Sequence, residues 1–168
     1  MATKTIKHPV VNTPLTMSIK IPLAIAYDAD IAAWAQEQAR FLRAGRFDLL
    51  DIEHIAEEIG DLAKSEKREL MNRLVQLLSH LLKWKFQPSH RGNSWTRTIK
   101  NQRFELEEHL TENPSLRPSL TNEQWFNHAW EKSILQASAE TGIDIDSFPS
   151  VCPWAIAEIM DSEWLPES

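Results

Sequence analysis

From Ile52 to Leu82, apolar residues return every third or fourth position. They run Ile52, Ile55, Ala56, Ile59, Leu62 and Ala63, then, after the polar interval KSEK at 64–67, Leu70, Leu74, Leu77, Leu78, Leu81 and Leu82. That period matches the turn of a helix and not the two-residue alternation of a half-buried strand. The centre of the chain is therefore long amphipathic helix, and its apolar side needs other helices to cover it. Only four glycines occur in 168 residues, and no run of alternating β-branched residues is present. The expected fold class is all-α: a compact single-domain bundle of about five to six helices over 27–168, preceded by an extended N-terminal arm.

Punctuation places the other elements. Residues 1–26 contain three prolines, no acid and no helical period, so they read as an extended or partly disordered leader. Asp28 or Asp30 can cap a first helix with Ile31, Trp34, Ala35, Gln38 and Leu42 inward, and Gly45 can stop it. Asp48 or Asp51 starts the next, with Ile52, Ile55, Ile59 and Leu62 defining its buried side and a bend or break between Gly60 and Ser65. Pro88 ends the leucine-rich helix, and Ser94 caps another carrying Trp95, Ile99, Phe104, Leu106 and Leu110 up to Pro114. A further helix spans about Thr121 to Glu140, with Trp125, Ala129, Ile134 and Ala137 inward and Gly142 as its stop. A short last helix runs from about Pro153 to Asp161.

The net charge of −6 is unevenly laid out: residues 1–70 carry −2, 71–104 carry +7 and 105–168 carry −11. In the basic segment, Lys83, Lys85, Arg91, Arg97, Lys100 and Arg103 interleave with Trp84, Phe86 and Trp95. Cations that meet phosphates beside aromatic faces that stack on unpaired bases are what an RNA or single-stranded DNA binder needs. The competing reading is an internal clasp, in which the same cations face the acidic last third of the chain.

Other chemistry has weaker support. The stretch EHIAEEIGD at 53–61 sets His54 beside Glu57, Glu58 and Asp61 on one helix. Carboxylate-bridged metal sites use Glu-x-x-His, whereas the order here is His54-x-x-Glu57 and His128-x-x-Glu131, so a metal-dependent hydrolase is the least favoured alternative. No metal or other cofactor is expected. Cys152, the only cysteine, excludes an intrachain disulfide and a cysteine-clustered zinc site, and it sits between valine and proline with no base to activate it. His80 reads as a half-buried hydrogen-bonding residue rather than a general base. A reducing compartment, the cytoplasm, is the expected address, and no apolar run approaches the roughly 18 residues that a membrane helix needs.

The runs YDAD (27–30), AWAQEQARFLRAGRFDLLDIEHIAEEI (33–59), KSEKREL (64–70), LLSHLLKWKFQP (77–88), NPSLRPSL (113–120), FPSVCPW (148–154) and DSEWLP (161–166) follow one another in an order that resembles family 29 of the domains of unknown function, a bacterial group. The resemblance covers about 27–166. It implies a bundle of helices and no activity, so no catalytic residue is carried over. With no catalytic constellation in view, the expected role is a non-catalytic interaction or regulatory module. Its expected partner is a protein; nucleic acid is the alternative partner, self-association is open, and no membrane is involved.

Overall fold

The computed structural model describes residues 25–167. The arm expected over 1–26 lies, up to residue 24, outside them. Five α-helices are present: α1 (Ile31–Arg43), α2 (Ile52–Phe86), α3 (Asn93–Glu112), α4 (Glu123–Thr141) and α5 (Ile156–Met160), with short 3₁₀ turns between them and no strand among the described residues. The chain divides into two units, one ending at Ile55 and the other starting at Ala56.

In the first unit Asp30 caps α1 by accepting from the Ala33 N–H at 3.0 Å, and Gly45 takes the left-handed conformation (φ 68°) after its end. Trp34, Glu37 and Gln38 are its buried residues, whereas Ile31, Ala35 and Leu42, expected inward, are exposed. Polar contacts hold the Trp34 side of this unit. The Trp34 indole N–H donates to Asp51 Oδ2 at 3.2 Å, and the Gln38 carbonyl accepts from the Asp51 N–H at 2.9 Å.

The core of the second unit is built on the leucine run. Leu70, Leu74, Leu77, Leu78, Leu81 and Leu82 are fully buried against Ile99, Leu106 and Leu110 of α3, Ala129, Trp130, Ile134 and Ala137 of α4, and Phe148 and Ile159 beyond. Each such leucine contributes about 1.5–3 kcal/mol by leaving water. The inward face of α3 passes through Ile99, Arg103, Leu106 and Leu110, and this phase turns Phe104 out to solvent. Asn122 caps α4 by accepting from the Trp125 N–H, and Gly142 (φ 73°) stops it.

Two features of α2 differ from expectation. Of the bend or break expected at Gly60–Ser65, the break is absent and the helix is continuous, because a lone glycine costs only about 1 kcal/mol relative to alanine and leaves the hydrogen-bond ladder intact. The stripe expected to be buried is also largely outside: Ile52, Ile59 and Leu62 are exposed. Continuous burial of α2 begins only at Leu70, where the helix meets α3 and α4.

Candidate functional site

The basic segment lies on the end of α2, the following turn and the first half of α3. Lys83 is buried, its side chain 7% exposed. Its ammonium donates to Glu140 of α4 and to His80 Nε2 at 3.3 Å, and lies 5.7 Å from the centre of the Trp95 ring. His80 Nδ1 faces the Gln76 carbonyl at 2.9 Å and must carry the proton, so Nε2 offers Lys83 its lone pair. Burial pushes the Glu140 carboxyl up, but the hydrogen bonds from Lys83 and Gln136 outweigh it and hold the group below its ordinary value.

The other cations reach in several directions. Lys85 donates to the Glu167 carbonyl at 3.2 Å, and Lys100 pairs with Glu163 at 3.4 Å. Arg91 donates from Nε to the Trp84 carbonyl at 2.8 Å, with its guanidinium over the Trp84 ring. Arg103 is 4% exposed and donates to the carbonyls of Ile159 at 2.7 Å, Ser162 at 3.4 Å and Trp164 at 2.8 Å. Burial pushes the Arg103 guanidinium below its ordinary pKa while Asp161 and Glu163 pull it back; an arginine stays charged at that site. Lys83, Lys85, Lys100 and Arg103 thus engage residues 140–167, the acidic end of the chain. Arg97 and Lys100 are brought together, lining an open depression of about 570 Å³ with Asn93, Ser94 and Thr96. Among the described residues Arg97 has no ion-pair partner.

His80 gives the segment a pH signature. Burial, then the nearby Lys83 charge, push its pKa below the ordinary 6.5, against the Gln76 hydrogen bond. The unfolded chain therefore binds a proton near 6.5 that the folded chain takes only at lower pH. Stability is expected to fall as pH drops below 6.5 toward the folded value. Thermal midpoints between pH 7.5 and 5 should show that slope, and His80→Gln should flatten it.

The residues of EHIAEEIGD do not assemble a metal centre. His54 Nδ1 lies 2.7 Å from Asp51 Oδ2 and its ring stacks on Tyr27 with centroids 4.1 Å apart. Among the described residues no three His, Cys, Asp or Glu side chains converge on a metal position. Cys152 is half-buried, and burial pushes its thiol up to about 11. Only the thiolate attacks alkylating reagents, so iodoacetamide at pH 8 is expected to label Cys152 in the native protein far more slowly than in urea. Equal rates would contradict this placement.

The apolar stripe at the start of α2 has the spacing of a core face but faces solvent. Every residue from Ala56 to Ser65 except Glu58 is exposed. Ile59 and Leu62, 66% and 62% exposed, share one side of this stretch with Ala56 and Ala63. Glu57, Asp61 and Lys64 occupy the other side. The Glu66 backbone carbonyl lies 3.0 Å from His109 Nε2 of α3.

A family model described as "Domain of unknown function DUF29" matches residues 26–165. No curated protein and no solved structure matches the chain. Among the described residues no helix is long and apolar enough to cross a membrane.

Proposed function

The chain belongs to the DUF29 family, whose description names no activity, and we propose from its own surface that it is a non-catalytic interaction module that docks a protein partner on α2. The observation that carries this reading is the uncovered face of Ala56, Ile59, Leu62 and Ala63. A helical stretch of about three turns whose apolar side chains face water is marginal, since helices in proteins owe most of their stability to packing an apolar face. An apolar groove or a second helix that accepts those side chains removes the cost, and helix-in-groove docking of this kind reads anchors at three- and four-residue spacing.

The test is the double variant Ile59→Glu/Leu62→Glu. Both positions are exposed, so its folding stability is expected to stay within about 0.5 kcal/mol of the parent. A specific protein that co-purifies with the parent from native cells, or self-association seen by light scattering, should be lost. An unchanged partner set together with an unchanged oligomeric state would refute the proposal.

A second reading, binding of RNA or single-stranded DNA, is favoured by one observation, the depression beside Arg97 and Lys100 at the start of α3. Phosphate neutralised there makes affinity fall steeply with salt. Replacing Arg97 and Lys100 by glutamine should abolish such binding; affinity insensitive to both salt and substitution removes this reading.

A further inference from the structure

Between α4 and the turn at 145–150 lies an open groove of about 660 Å³, lined by Glu131, Ile134, Leu135, Ile145, Asp146, Phe148 and Ser150. Its volume is in the range of pockets that hold ligands, roughly 300–1,000 Å³. Ile134 and Phe148, both buried, form the floor, and Leu135 and Ile145, 58% and 43% exposed, remain open to solvent. An apolar floor with uncovered apolar residues beside it attracts an apolar group.

The groove is built rather than incidental. Phe148 packs edge-to-face on Phe86, with centroids 4.9 Å apart, and the Trp130 indole N–H donates to the Pro149 carbonyl at 2.9 Å. Ser138 Oγ donates to the Ile143 carbonyl at 2.7 Å, and the Asp144 carboxylate accepts from the Asp146 N–H at 3.0 Å. The 143–149 segment is thereby fixed against α4 before anything binds, which lowers the entropic cost of binding.

Charge selects the occupant. Two of the lining residues, Glu131 and Asp146, are carboxylates and none is a cation. Among the described residues Asp146 is in no ion pair, and Glu131 faces only His128, at 3.9 Å. Lys83 and Lys100 engage Glu140 and Glu163 instead. We infer that this groove docks a peptide segment of a partner in which a large apolar side chain is flanked by lysine or arginine. The apolar group fills the floor, and the flanking cations meet Glu131 and Asp146. This site is separate from the uncovered face of α2, and neither assignment depends on the other.

The experiment uses the full chain and a labelled synthetic peptide with a central leucine–phenylalanine pair between lysines, followed by fluorescence anisotropy. Binding is expected to weaken with added salt. It should also weaken at least about tenfold when the central pair becomes alanine, when Leu135→Ser is introduced, or when Asp146→Lys is introduced. Leu135 and Asp146 are exposed, so both variants should keep the parent's circular dichroism and thermal midpoint. Methyl chemical shifts give an independent readout: the peptide should move Ile134, Leu135 and Ile145 and leave Ile59 and Leu62 in place. Equal affinity for the alanine peptide, insensitivity to both substitutions, or shifts confined to α2 would each overturn the inference. The Ile59→Glu/Leu62→Glu variant should bind the peptide as the parent does, so failure of the α2 proposal and failure of this one remain distinguishable.

Discussion

Replacing Arg103 by methionine is expected to lower stability by about 3–5 kcal/mol, because three carbonyls lose a charged donor and each such hydrogen bond is worth about 1.5–3 kcal/mol at good geometry. The guanidinium donates to three carbonyls, those of Ile159, Ser162 and Trp164, and these hold α5 and the chain after it against α3. Methionine fills much of the space but donates nothing, so acceptors from a partly buried segment are left without a donor. Lysine recovers only part of the loss, because one ammonium on a flexible stem cannot reproduce the rigid fork of donors. Chemical denaturation of the three proteins measures the difference, and a loss below about 1 kcal/mol for methionine would place Arg103 among ordinary surface hydrogen bonds. Amide exchange should show residues 159–165 opening first in the variant.

Trp130→Ala is the second large effect, again about 3–5 kcal/mol, as for other truncations of large buried aromatics. Trp130 is fully buried, meets Trp154 edge-on with centroids 5.5 Å apart, and donates its indole N–H to the Pro149 carbonyl. Trp130→Phe keeps much of the volume and loses that hydrogen bond. It should therefore cost less, with the hydrogen bond itself accounting for about 1 kcal/mol. The substitution also removes an anchor of the segment that carries Phe148 and Ser150. If the groove is preformed by these contacts, Trp130→Phe should weaken binding of the lysine-flanked peptide although Trp130 does not line it. Thermal unfolding and anisotropy on the same preparations separate the two consequences.

Much of the architecture was written in residues whose local physics has one outcome. Asp30 and Gly142 act as cap and stop because a carboxylate at a helix start and a glycine after a helix end have few competing uses. Leu70 to Leu82 read as core because six leucines at helical spacing make one wide apolar face, while Asn72 and Gln76 on the other side meet water. The stretch from Ala56 to Ser65 shows where that logic stops. Amphipathicity states that a face should be covered and is silent on what covers it, so Ile59 and Leu62 give the same pattern as a core stripe or as a docking surface. The basic segment was ambiguous for a related reason. A lysine is drawn to a phosphate or to a glutamate by the same charge, and only the distances from Lys83 to Glu140 and from Lys100 to Glu163 reveal internal partners. The groove at Leu135 was hidden because its two walls are about ten residues apart and join only after Gly142 turns the chain.

The central claim, that the uncovered side of α2 is a protein-docking surface, is tested most directly by placing a photo-crosslinking side chain at each position from 56 to 68 in turn and irradiating native cells. The account predicts adducts with one specific protein, or with a second copy of this chain, whose yield rises and falls with helical periodicity and peaks at 59, 62 and 63. Yield without periodicity, or adducts found only when the crosslinker is moved to 93–100 and consisting of nucleic acid, would contradict it.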